Sequence, residues 1–395
     1  MITGTSRPQW LQLVCLFLAS RGALFLVGLF STYLLPSGLT VQRGNLVAHA
    51  PAPRALEMWA RWDSEWYLLI AREGYQVGDL VSGAGVPYEP WAAAGFLPLY
   101  PVLIRLLGGI CGPVAAGVLI SNVCLLVSLL LLDRLLRLEL GEPVGRRAGV
   151  AAGAAMLLFP SSLFLSAVYA ESLFLMLSLM VFVGAVSGRF WAAGIAGALA
   201  AVTRPFGLLL MIPIVFEWWR QRRAARSGGG GGGPSVPSLA WSAAVPAGLG
   251  VYLMYCWDVF GDPLVLVRRQ ERWRGGLSGP WRAFQSWWEA GPVAHGSHGS
   301  TYELVIAVAC LVLLLLMARR LRPVYTVYAT ACVALALGST LWSFARLAVT
   351  VFPFFMLMGL WWTEGHRFRW AVYAAVGASS SGLLMALFAN WWWAG

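Results

Sequence analysis

The sequence contains no lysine. All 28 of its basic residues are arginine, against 17 acidic ones. Charge of any kind is scarce, at 11% of 395 residues, where a soluble domain carries about a quarter. That scarcity excludes an ordinary soluble globular domain. Arg-for-Lys bias fits GC-rich coding, and the arginines fall mostly in short loops between apolar runs, where they set membrane orientation. The net charge of +11 therefore speaks of topology, and no nucleic-acid partner is expected. Cysteine is also sparse. The six cysteines (Cys15, Cys111, Cys124, Cys256, Cys310 and Cys332) include no close-spaced pair, which argues against a zinc site or a disulfide framework. They read as small buried hydrophobes. Six consecutive glycines lack the Lys-Ser/Thr of a phosphate loop and follow no strand.

What is present is apolar. Hydrophobic residues make up 59% of the chain and the mean hydropathy is +0.71. The apolar runs predict an all-α polytopic membrane protein of about 11 spans. They fall near 10–36, 113–133, 148–167, 171–187, 190–203, 205–219, 238–257, 303–318, 324–342, 346–362 and 370–392. The first run exceeds a signal-peptide core and lacks a clear cleavage site, so it reads as a retained anchor. Pro205 breaks the pair 190–203 and 205–219, which reads as two half-length helices meeting inside the membrane. The whole chain, 1–395, reads as a single integral-membrane domain. A cytoplasmic N-terminus puts most loop arginines inside. Segments 37–112 and 258–302 then face outward, and the Gly-rich linker 220–238 faces the cytoplasm.

Four constellations carry candidate chemistry. In `MWARWDSEWYLLIAREGYQ`, read as a helix, Trp59, Asp63, Trp66 and Ile70 share one face, flanked by Trp62. Arg61 and Glu65 lie on the other side, at the spacing of a surface ion pair. Asp63 has no local cation, and reads either as a general base or as a solvated carboxylate. Glu171 is the one charge in the run from Met156 to Val186, beside Tyr169. An ionisable residue at that depth points to function, and equally to a helix N-terminus at an outer turn. Arg204 in `AVTRPFG` and Arg346 in `SFARLAV` are arginines in apolar surroundings, which suit a lipid phosphate. Arg21 reads as snorkelling or paired with Asp133. His295 and His298 in `HGSHGS` lack a third ligand and a rigid frame for metal, and read as an outer loop over the site.

In order, `WDSEWYLLIAREGY`, `GFLPLYPVLIRLL`, `LFPSSLFLSAVYAESLF`, `TRPFGLLL` and `FARLAVTVFPFF` resemble the PIG-V mannosyltransferase family, which includes GPI mannosyltransferase 2 and bacterial relatives. The resemblance runs over about 15–360. It implies a GT-C glycosyltransferase fold with amphipathic helices in a large first outer loop. It also implies inverting transfer of mannose from a polyprenyl-phosphate-mannose donor to a lipid-linked or glycan acceptor on the outer or luminal side. It places the catalytic acid at Asp63, and metal and cofactors are not required. Arg204, Arg346, Glu171, Tyr169, Trp62, Trp66, Tyr100 and Glu65 are the expected donor-binding residues. The compact, arginine-biased chain resembles a bacterial member of the plasma membrane; a eukaryotic one would reside in the endoplasmic reticulum. The rival reading is a lipid or sugar-lipid transporter or flippase, since broken helices also mark transporters. The two halves of this chain are unlike each other.

Overall fold

The computed structural model describes residues 8–38, 52–75, 92–227, 233–276 and 278–395. Among them the regular elements are helical, and no β-strand forms. The helices begin with α1 (Gln9–Leu34), α2 (Arg54–Glu57), α3 (Ser64–Glu73), α4 (Leu99–Cys111), α5 (Pro113–Leu140) and α6 (Val144–Leu157). There follow α7 (Glu171–Val186), α8 (Phe190–Ala201), α9 (Met211–Ser227), α10 (Ala244–Phe260), α11 (Val265–Arg274) and α12 (Arg282–Glu289). The last are α13 (Thr301–Met317), α14 (Pro323–Leu337), α15 (Phe344–Ala348), α16 (Pro353–Thr363) and α17 (Arg367–Ala389). The centre of the first expected outer loop, 39–51 and 76–91, lies outside the described residues, as do glycines 228–232 of the expected linker.

α1, with 26 apolar-rich residues, is about 39 Å long and exceeds a hydrocarbon core of roughly 30 Å. α1, α5, Val236–Phe260 and α17 are each long and apolar enough to span a bilayer. The chain is an integral membrane protein, and shorter helices pack among these four.

Three connections between short helices meet in space. α6 and α7 are joined by 158–170, α8 and α9 by 202–210, and α14 and α16 by 338–352. Gln221 Nε2 of α9 donates to Ala185 O at the end of α7, 2.8 Å away. α9 therefore descends beside α7, antiparallel to α8. The 202–210 break is thus a tip at which the two short helices expected from the sequence meet. Its reason is local: Pro205 has no amide hydrogen, and Pro205–Leu210 closes as a 3-10 turn. A side chain on Gly207 would collide with the backbone of Ala200 and Ala201. At the opposite, arginine-rich end, Arg322 binds Glu139 of α5 (2.7 Å) and Glu217 of α9 (2.6 Å).

Expected span 148–167 ends as helix at Leu157. Every residue from Pro160 to Ala170 is nonetheless buried. Irregular backbone survives at membrane depth only where protein groups satisfy it. Here Arg21 Nη1 donates to Ser162 O (2.9 Å) and Nη2 to Leu157 O (3.2 Å). Ser121 Oγ donates to Ala167 O at 2.8 Å, and Val168 N–H to Trp59 O at 2.9 Å. Ser161 Oγ reaches Ala345 O in the third tip (2.7 Å). Arg21 therefore neither snorkels nor pairs with Asp133, which takes Arg137 instead (3.0 Å). The expected single span 346–362 is interrupted, with α15 and α16 separated by 349–352. The expected last span, 370–392, ends as helix at Ala389, and the tryptophans after it turn back over the bundle.

Arg21→Met would remove the Arg21 donor from Ser162 O and leave Leu157 O with Ser162 Oγ alone (2.9 Å), at about 1–3 kcal/mol for a buried orphan. A lower thermal midpoint in lipid nanodiscs is expected, with Arg21→Lys intermediate. An unchanged midpoint for Arg21→Met would show that the segment does not depend on Arg21.

Candidate active site

The three connections carry Glu171, Arg204 and Arg346, charges that the sequence singled out. Glu171 opens α7, where a carboxylate complements the helix dipole, and it is 1% exposed. Arg204 precedes Pro205, and a residue before proline is pushed to extended backbone. Its φ of −151° and ψ of 145° turn the guanidinium toward the first tip, where Nη1 contacts Glu171 Oε1. Arg346 lies on α15, and its Nε is 3.2 Å from the same carboxylate oxygen. Two guanidiniums thus share one buried carboxylate.

The fourth member comes from the segment before α3. This stretch is not the continuous helix predicted from the spacing. α2 ends at Glu57, residues 58–63 form turns, and Asp63 occupies the N-cap of α3. Its side chain makes no cap hydrogen bond. Instead Oδ2 accepts from Arg346 Nη1 at 2.6 Å. The cation absent from its own helix face comes from 283 residues away. Asp63 is the more open of the two carboxylates, 27% exposed at the side chain against 1% for Glu171. Position separates Asp63 from Glu65. Glu65 is buried on α3, and the ion pair of Arg61 runs to Glu57 (3.0 Å), so Glu65 is not a surface partner.

Tyr169 is buried under this cluster. Arg346 Cζ lies 5.3 Å from its ring centroid, within cation–π range, and its hydroxyl donates to Arg61 O (3.0 Å). Trp62 flanks Asp63 with φ at 58°, and Trp66 stacks on Phe96 (5.8 Å). Tyr100 is brought near but not in. It is fully buried, donates to Gly117 O (3.0 Å) and packs edge-on against Tyr67 (5.2 Å). His295 approaches Ser300 Oγ (3.2 Å) and Trp393 O (3.1 Å) through its two ring nitrogens. His298 lies against Trp342 (4.5 Å), and burial followed by the Arg274 charge lowers its pKa.

Two further residues join the site. Glu303, in the first turn of α13, is 2% exposed and accepts from Ala345 N–H through Oε2 at 2.6 Å. It is the one charge in the apolar run 301–317, so the signal that singled out Glu171 was present there too. Arg274 ends α11 and donates to Trp342 O at 3.4 Å. Burial and then the charges of Arg346 and Arg204 lower its pKa to about 10, so it remains a cation at neutral pH. One arginine among several in `VRRQERWRGG`, it has no distinguishing mark in the sequence. Beside these charges runs a narrow apolar crevice between Phe174, Phe206, Val333, Phe344, Leu347 and Val351.

Removing one partner of a buried ion cluster strands the others, at roughly 3–5 kcal/mol. Glu171→Ala is expected to lower stability in chemical denaturation by that much. The double variant Glu171→Ala/Arg204→Ala should recover part of the loss. Equal stability of Glu171→Ala and the parent would mean that the cluster does not clamp the tips.

A family model described as Mannosyltransferase (PIG-V) matches residues 24–221, half of the chain, including Asp63, Glu171 and Arg204. GPI alpha-1,6-mannosyltransferase 2 from Rattus norvegicus is 35% identical over 159 residues, covering 38% of this chain and 30% of the relative. The Mus musculus protein of that name is 34% identical over 159 residues, at 38% and 29% coverage. The match thus spans under a third of these relatives. Among solved structures, ArnT from Cupriavidus metallidurans bound to undecaprenyl phosphate superposes with a TM-score of 0.52 at 15% identity, covering 91% of this chain and 62% of that one. That likeness concerns the fold, the GT-C arrangement. By the family match and the geometry built around it, the chain belongs to the PIG-V mannosyltransferase family.

Proposed function

We propose that this protein is an inverting mannosyltransferase that moves mannose from a polyprenyl-phosphate-mannose donor to a hydroxyl of a lipid-linked or glycan acceptor. The observation that carries this reading is a carboxylate left 27% exposed, Asp63, held by Arg346 at the rim of an arginine cluster. A base needs an open face toward the acceptor, and a departing phosphate needs fixed positive charge.

In the proposed step Asp63 takes the proton of the acceptor hydroxyl as that oxygen bonds to the anomeric carbon. The carbon–oxygen bond to phosphate breaks on the opposite face, and polyprenyl phosphate leaves with one more negative charge. Arg346 and Arg204 are already shared with Asp63 and Glu171, so they orient the site and add field. Arg274, bonded to a backbone carbonyl, contributes the charge best placed to hold the phosphate. The crevice between Phe206, Phe344 and Val351 holds only about 10 Å³, so the first isoprene units of the tail enter it only as these side chains move apart. Undecaprenyl phosphate, bound by ArnT, belongs to the same chemical class as the proposed leaving group. The site faces the outer side of a bacterial plasma membrane if the arginine-rich ends face the cytoplasm. In that orientation residues 1–395 act as one catalytic domain.

Asp63→Asn should lower transfer from radiolabelled polyprenyl-phosphate-mannose by about 10²–10⁴-fold while donor binding persists. Full activity would remove Asp63 as the base. Transport of the lipid without transfer by the parent protein would favour the flippase reading instead. Arg274→Gln should raise the donor KM by about tenfold or more, in line with the loss of one charged hydrogen bond, with Arg274→Lys partly restoring it. An unchanged KM would remove Arg274 from the phosphate.

A further inference from the structure

The C-terminal tryptophans do not end the last span, as their apolar character suggested. After α17, Trp391–Trp393 fold back across the mouth of the site. Trp393 meets Trp62 edge-on (5.1 Å between centroids, 83°) and lies against Trp342 at 4.6 Å and 31°. His298 packs on Trp342. Trp62 is the residue before Asp63, and Trp342 lies four before Arg346, with its carbonyl bound by Arg274. Trp62, Trp342 and Trp393 are each partly exposed.

The cluster is held in place. Trp62 Nε1 donates to Trp392 O (3.3 Å), Trp392 Nε1 to Pro36 O (3.2 Å), and Gly38 N–H to Asn390 O (2.7 Å). Among the described residues, the non-glycine positions with positive φ are Trp62 (58°), Ser343 (63°) and Trp391 (64°). One is a ring of the cluster, one follows Trp342 and one precedes Trp393 by two. Such backbone costs of order 1 kcal/mol or more at each position and collects where a site demands it. Tryptophans that merely anchor a protein at the membrane interface point outward, as Trp281 (69% exposed) and Trp288 (72%) do. Trp62, Trp342 and Trp393 face one another beside the proposed base instead.

We propose that Trp62, Trp342 and Trp393 form the subsite for the saccharide ring of the acceptor. The apolar face of a pyranose stacks on indole, and indole N–H groups and nearby carbonyls meet its hydroxyls. A ring held there lies beside Trp62, the residue before Asp63, and presents a hydroxyl toward that carboxylate. This inference rests on the transferase reading above.

The test uses the full chain in phosphatidylcholine nanodiscs, with polyprenyl-phosphate-mannose as donor and octyl α-D-mannopyranoside as acceptor probe. Two products are followed, the mannosylated glycoside and free mannose. Trp393→Ala should raise the acceptor KM about tenfold and lower the ratio of glycoside to free mannose to match. Trp393→Phe should stay within about threefold of the parent. Trp342→Phe serves as a second variant should Trp393→Ala fail to fold. Quenching of tryptophan fluorescence by the octyl mannoside, read without donor, reports binding apart from catalysis. Quenching in the parent that is lost in Trp393→Ala supports the subsite even where no transfer is seen, and an absence of both products then speaks against the transferase reading alone. An unchanged acceptor KM, or a ratio that does not move, overturns the proposal.

Discussion

The chain of ion pairs from Asp63 through Arg346 and Glu171 to Arg204 is the interaction on which the site depends. It joins four segments that are remote in sequence: the start of α3 and the three connections between short helices. Two of its members are nearly excluded from solvent, and such charges persist only when each has its partners. That requirement couples the tips. A change in the turn after α8 or before α16 alters the charge balance around Asp63.

The bilayer explains how the chain affords so much irregular backbone there. In hydrocarbon an unpaired carbonyl is costly, so non-helical segments must be wrapped in protein donors. The serines of 161–172, Ser121 and Arg21 supply them. These small polar side chains are what permits a buried loop. The loop in turn frees the N-terminus of α7 to aim Glu171 at two arginines.

Much of this was legible in the sequence, residue by residue. Scarce charge and repeated apolar runs gave the class, because a bilayer punishes charge uniformly. Asp63, Glu171, Arg204 and Arg346 stood out as charges without local partners, and they meet in space. What the sequence could not reveal was who pairs with whom, since Arg346 and Asp63 are 283 residues apart. The continuous helix expected through Trp59 and Asp63 failed because periodicity does not register a left-handed residue at Trp62. Glu303 carries the same local signal as Glu171, a lone charge at the start of an apolar run. Arg274 carried no local signal at all. The terminal tryptophans read as span because hydropathy does not distinguish a ring in lipid from a ring over a polar cleft.

The central claim is that donor phosphate and base lie on opposite sides of one anomeric carbon within this cluster. The direct measurement is a cryo-EM structure of Asp63→Asn in nanodiscs with polyprenyl-phosphate-mannose bound. Phosphate oxygens are expected about 3 Å from the Arg274 guanidinium, with the anomeric carbon between the phosphate and residue 63. The isoprene tail is expected along Phe206 and Phe344. A phosphate bound away from Arg274 and Arg346, or a sugar whose anomeric carbon is turned from residue 63, would contradict that claim.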